Sequence, residues 1–200
     1  QRQAPRDGVA DGKVDQVLKK NESILIQILK EPISTKGPRL SCEITIPGRF
    51  IVLTPFSNTI AVSKKVSSQE ERRRLQLLVE SIRPKNFGII VRTAAEGKKV
   101  ADLHDELKEL LDTWSQIHKQ LYKRQQPAKL LSELDKTSSI LRDMLNDDFT
   151  NIIVNDKEIY DNIQEYLENI APAKKDIISL YKGKKPVFDT YRVNRQIKSS

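Results

Sequence analysis

Between Val100 and Leu121 the apolar residues Val100, Leu103, Leu107, Leu110, Trp114, Ile117 and Leu121 recur at steps of three and four without a break. That alternation draws one apolar stripe along a single long helix, and such a stripe has to be covered by something. Its heptad-like spacing fits a coiled-coil or partner-binding strip. The more ordinary arrangement is a helix lying on the sheet of its own domain, with Trp114 in the core. The spacing therefore predicts a mixed domain, its long helix ending near Gln126-Pro127.

Strand-like segments precede the helix. β-rich runs recur at "SILIQIL" (23–29), "LSCEITI" (40–46), "RFIVLTP" (49–55) and "TIAVSKKV" (59–66), separated by turn signals such as Pro47-Gly48 and Ser57-Asn58. This first third reads as a small antiparallel β module. The period then changes. Ser68 and Glu71 form a capping box for a helix carrying Leu75, Leu78, Val79 and Ile82 on one face until Pro84, and the strand "GIIVR" follows. Beyond Pro127 the pattern predicts a helix about Ser138 to Asn146, a strand "FTNIIVN" (149–155) and a helix capped at Asn155 or Asp156. That last helix would face Ile159, Ile163, Tyr166, Leu167 and Ile170 inward, and a short helix about "KKDIISLYKG" would close the region. The polar N-terminal stretch is expected to be disordered or a loop. The expected class is α+β: a β module, a mixed α/β module and a second small α/β piece.

Lys and Arg number 35 against 27 Asp and Glu, a net +8 that favours polyanionic partners. No apolar run approaches the ~20 residues of a membrane span, and "QRQAPRDGVADGK" lacks the apolar core of a signal peptide, so a soluble cytoplasmic protein is expected. Cys42, His104 and His118 lack the spacing of a zinc site. Asp143, Asp147 and Asp148 are more in keeping with turn residues than with a metal-binding pair. No nucleophile triad, P-loop or dinucleotide fingerprint is present. Beginning with Gln and ending in "RQIKSS", the chain reads as a piece of something longer.

Basic residues are better placed. Lys30, Lys36 and Arg39 flank one strand connection, Lys64-Lys65 end a strand, and Lys98-Lys99 follow "GIIVRTAAEGKK". In that stretch Arg92 and Thr93 stand where a strand meets a helix start, a good place to hold an anion. Thr93 and Glu96 also satisfy T-x-x-E, and by pattern alone the stronger reading is that Thr93 simply caps the helix with Arg92 in solvent. The two roles are compatible.

With "KGPRLSCEITIPGRFIVLTP" joined to "GIIVRTAAEGK", and with "LYKGKKPVFDTYRVNRQI", the sequence resembles the ribonuclease E/G family of bacterial endoribonucleases over nearly all of residues 13–200. The resemblance implies a loop over 1–12, part of an OB-fold RNA-binding domain over 13–42, a 5′-sensor domain over 43–136 and part of a ribonuclease H-like subdomain over 137–200. It implies that Arg92 and Thr93 hold an RNA 5′-monophosphate. Gly48 and Val52 would line the same pocket, the glycine leaving room for the terminal nucleotide and Val52 offering a backbone N–H and an apolar surface. Lys64 lies where many relatives have arginine, keeping the charge without the bidentate fork. Lys30 and Lys36 match OB-fold positions that face RNA.

The family cleaves single-stranded RNA with two aspartates and Mg²⁺ in a following subdomain, and its zinc-sharing cysteines are absent here. The resemblance thus implies a parent endoribonuclease of RNA processing and mRNA decay, Mg²⁺-dependent and homo-oligomeric, of which this chain alone holds no metal and does not cleave. The alternative is a non-enzymatic nucleic-acid or protein interaction module, in which the long helix recruits a partner and the charge only aids solubility.

Overall fold

A computed structural model describes residues 17, 18, 20, 23–123, 127–132, 136–145 and 148–199. The loop expected over 1–12, Asn146, Asp147 and the helix end at Gln126 lie outside them. The chain forms two compact units, 1–132 and 133–200.

In the first unit, β1 (Gln27–Lys30) pairs antiparallel with β2 (Arg39–Ser41) as a separate hairpin. A four-stranded sheet follows, made of β3 (Ile46–Pro47), β4 (Ile51–Pro55), β5 (Ile60–Val62) and β6 (Phe87–Val91) in the order β3-β4-β6-β5. β3 and β6 lie antiparallel to β4, whereas β5 runs parallel to β6. The first third is therefore not a self-contained antiparallel module. A parallel neighbour needs a crossover, and α1 (Gln69–Ile82) supplies it between β5 and β6.

Ser68 caps α1, its hydroxyl accepting the Glu71 N–H at 3.2 Å. The long α2 (Val100–Lys123) buries Leu103, Leu107, Leu110, Trp114 and Ile117 against Ile51, Leu53, Ile89 and Val91 of the sheet and Leu75 and Val79 of α1. Each such large side chain contributes about 1.5–3 kcal/mol on burial. The stripe is thus consumed by its own domain, and the partner-recruiting alternative loses its main support. The two ends of the stripe are exceptions, Val100 half exposed and Leu121 only partly buried. Trp114 packs edge-on to Phe56, ring centres 5.4 Å apart.

The second unit holds α3 (Lys136–Met144), β7 (Ile152–Val154), α4 (Lys157–Ile170), a 3-10 turn (Pro172–Ile177), β8 (Ile178–Leu180), α5 (Val187–Thr190) and α6 (Val193–Ser199). Asp156 caps α4 through the Ile159 N–H at 2.9 Å. Where a closing helix was expected at "KKDIISLYKG", the chain instead makes the turn and then β8, parallel to β7. Pro172 starts the turn, and the β-branched Ile178 gains more from a strand. Ile163 and Leu167 are buried with Leu141, Leu145, Val154 and Ile178, but Ile159 is 40% exposed, over an apolar cavity of about 360 Å³. The architecture is α+β. Among the described residues no helix is long and apolar enough to cross a membrane.

Candidate functional site

Because β4 runs against β6 and β5 runs with it, the β3–β4 turn, the end of β5 and the end of β6 all emerge at one end of the sheet. Topology alone gathers Gly48–Phe50, Ser63–Lys65 and Arg92–Ala95 there. β6 delivers Arg92 half-buried, its backbone N–H donating to Phe50 O and its Nη1 to Gly48 O, both at 2.8 Å. Anchoring one of its donors on a carbonyl narrows the directions in which the rest of the guanidinium can point.

Ser63, level with Arg92, donates its N–H to Val91 O at 2.9 Å, and Lys64 follows, exposed, in a turn where Ser63 Oγ accepts the Lys65 N–H. Arg49 and Lys98 bring further charge, their cationic ends 5.3 and 5.4 Å from the centre of the Phe50 ring.

Thr93 does not begin the long helix. It opens a 3-10 turn, Thr93–Ala95, which Glu96 closes with its backbone N–H on Thr93 O, and no side chain caps that turn. Gly97, at φ +71°, then turns the chain before α2 starts at Val100, with Asp102 accepting the Lys99 N–H at 2.9 Å. The T-x-x-E pattern is therefore not a capping box, and the α2 dipole is not focused at Thr93. Thr93 is half-buried next in the chain to Arg92, and its side chain is spared that duty.

Gly48 is buried, and a Cβ there would come within 2.6 Å of Glu106 Cδ. Glu106, from α2, is the residue that pattern reasoning missed. Its carboxylate accepts N–H bonds from Arg49, Phe50 and Ile51 at 2.5–3.1 Å. Burial pushes its carboxyl above the ordinary range, against the pull of those N–H groups, with Glu109 adding to the rise. One signal existed: Glu106 stands three residues after Leu103 and four before Leu110, an acid beside the buried stripe.

On the other side, Glu71 of α1 takes Arg74 in a bidentate pair, both contacts 2.6 Å, and accepts the Gly97 N–H at 2.9 Å. Those bonds hold its carboxyl down to about 2. Arg74 also donates to Lys98 O at 3.1 Å.

Val52 lies on the sheet face opposite the core, in an apolar row Pro47–Val52–Ile90–Ala61 that crosses all four strands in register. Since Arg92 N–H bonds Phe50 O, Val52 and Ile90 form the next bonded pair of the ladder. The backbone N–H expected of Val52 is thus spent within the sheet, and what it presents is apolar surface. Lys30 and Lys36 stand exposed on the β1–β2 hairpin, in a different sheet from Arg92.

The sheet end therefore combines cations, a hydroxyl and an adjoining flat apolar face, chemistry suited to an anionic group attached to a planar one. Among the described residues no cluster of three or more His, Cys, Asp or Glu is placed to hold a metal ion. Asp143 is 3.0 Å from Arg142.

A family model described as Ribonuclease E/G family matches residues 45–200. The chain is 32% identical over 190 residues to Ribonuclease E of Nostoc sp., covering 94% of this chain and 28% of that protein. It is 31% identical over 187 residues to Ribonuclease G of Haemophilus influenzae (94% and 38%), and 29% identical over 184 residues to Ribonuclease G of Escherichia coli K12 (92% and 38%). The chain thus spans about a third of the length of these relatives.

Proposed function

This chain belongs to the ribonuclease E/G family, and from that premise we propose that it is the RNA-binding, 5′-end-reading portion of an endoribonuclease. The observation that carries the reading is the anchored guanidinium of Arg92 on Gly48 O, with Thr93 and the turn of Lys64 at the same end of the sheet. Arg92 would bind the 5′-monophosphate by charge-assisted hydrogen bonds and Thr93 through its hydroxyl. Lys64 supplies a second charge as a point cation, and Gly48 contributes the carbonyl that Arg92 holds, its missing side chain leaving room for Glu106 on the core side. Val52 and Ile90 would take the face of the terminal base. A triphosphate is too bulky for such a pocket and a 5′-hydroxyl lacks the charge. Lys30 and Lys36 would track the RNA backbone, as basic residues of an OB-type module do.

In this reading residues 13–42 belong to an OB-fold domain, 43–136 form the 5′ sensor and 137–200 belong to a ribonuclease H-like subdomain. The parent enzyme hydrolyses single-stranded RNA in RNA processing and decay, in the cytoplasm and as a homo-oligomer. Mg²⁺ belongs to the parent's hydrolytic centre. The chain alone is proposed not to cleave.

Binding of this chain to short RNAs bearing 5′-monophosphate, 5′-triphosphate or 5′-hydroxyl, at two salt concentrations, tests the reading. The monophosphate should bind about tenfold tighter than the hydroxyl, equivalent to one good charge-assisted contact. Weak, end-independent binding that vanishes with salt would overturn it. In the full-length enzyme, Arg92→Ala should abolish the preference for 5′-monophosphate RNA while sparing substrates cut by internal access; equal losses on both would argue against a sensor.

A further inference from the structure

Two peptide planes of the β3–β4 turn face two ways at once. In the Gly48–Arg49 plane the carbonyl accepts Arg92 Nη1 at 2.8 Å while the N–H donates to Glu106 Oε1. In the Phe50–Ile51 plane the carbonyl accepts the Arg92 backbone N–H at 2.8 Å while the N–H donates to Glu106 Oε2 at 2.8 Å. Arg92 and Glu106 are thus joined through two peptide groups, one ending on the guanidinium and the other on the Arg92 backbone N–H. From this geometry we infer that Glu106 is a positioning residue of the 5′-phosphate pocket, fixing the turn and, through it, the plane of the Arg92 guanidinium.

The inference rests on the 5′-end reading above and deepens it. The side chain has to be an acid because three N–H groups converge on it, with Phe50 N–H reaching both oxygens at 3.1 and 2.9 Å. A carboxylate is acceptor-only, whereas an amide would set its own N–H₂ against one of those donors. Gly48 fits the same scheme, since a side chain there would displace the carboxylate and with it the carbonyl that Arg92 holds. Each charge also strengthens the other's bond, because polarising one end of a peptide group makes the other end a better partner. Glu106 itself points at the turn and takes no part in contacting RNA.

Glu106→Gln, nearly isosteric, and Glu106→Ala are compared with the unsubstituted chain and with Arg92→Ala. The first readout is the ratio of affinities for 5′-monophosphate and 5′-hydroxyl RNA of one sequence. Glu106→Ala should lower that ratio about tenfold, Glu106→Gln about threefold, with 5′-hydroxyl binding unchanged and no further loss when combined with Arg92→Ala. The second readout needs no RNA: the Arg92 side-chain N–H resonance should be single and slowly exchanging in the unsubstituted chain, and averaged in both Glu106 variants. If the unsubstituted chain shows no 5′-phosphate preference, the sensor reading fails and the resonance alone decides the positioning. Full preference, or an unchanged Arg92 resonance, in folded Glu106→Gln overturns the inference.

Discussion

The turns on either side of Arg92 and Thr93 are each gripped by a carboxylate, and they are gripped by opposite physics. Glu106 holds residues 49–51 with neutral N–H donors in a partly buried place, and burial raises its carboxyl. Glu71 holds Gly97 from the surface beside the Arg74 guanidinium, which lowers its carboxyl to about 2. The first grip is made of groups with nowhere else to bond. Solvent can replace much of the second. A wet ion pair contributes little, whereas buried donors left without a partner are costly.

The largest effect should therefore come from Glu106→Ala, which strands three N–H groups and should lower the unfolding free energy by about 3 kcal/mol, read by urea denaturation. Gly48→Ala should cost about 2 kcal/mol, because the new Cβ drives the carboxylate out of its turn. That cost should largely disappear in the Glu106→Ala background, a non-additivity that a double-mutant cycle measures. Additive losses would show that Gly48 is needed for some other reason.

Opposite pH slopes should separate the two grips further. With its folded value raised, Glu106 ionises in the unfolded chain first, so its contribution falls as pH climbs from the ordinary carboxylate range through the raised value. Glu106→Gln should flatten the stability profile in that window. With its folded value near 2, Glu71 contributes fully above the unfolded value of about 4.3 and loses that contribution as pH drops toward 2. Glu71→Gln should remove that part of the acid limb. At neutral pH the same substitution should cost less than about 1 kcal/mol, the smallest effect of the series. A loss at Glu71 as large as that at Glu106 would erase the distinction.

Much of the fold could be read from pattern. The Val100–Leu121 stripe marked α2 and its buried residues up to Ile117, Ser68 marked the start of α1, and the cap at Asp156 was one of two expected. These are local signals, set by helical period and by a side chain that reaches its own backbone. The errors share a different cause. β5 looks like any short β-rich run, and only its pairing partner makes it parallel. Ile178–Leu180 looked helical beside "KKD" and became a strand because β7 offered a ladder. At the candidate site, Arg92 and Thr93 stand out at their strand–helix junction and Lys64 at a strand end, whereas Gly48 and Val52 are named only through a resemblance to relatives. Glu106, whose partners lie more than fifty residues away in sequence, is named by neither.

The sequence by itself determined where α1 begins, which helix faces are apolar, how positive the chain is and which family it resembles. Each of those is a property of neighbouring residues or of a sum over them. Only the tertiary structure decided that Thr93 opens a 3-10 turn instead of α2, that the β3–β4 turn meets Arg92 on one side and Glu106 on the other, and that Val52 offers its side chain rather than its N–H. Those outcomes depend on how backbone donors and acceptors distant in the chain satisfy one another, and hydrogen-bond partnership across a sheet end leaves no period in the sequence.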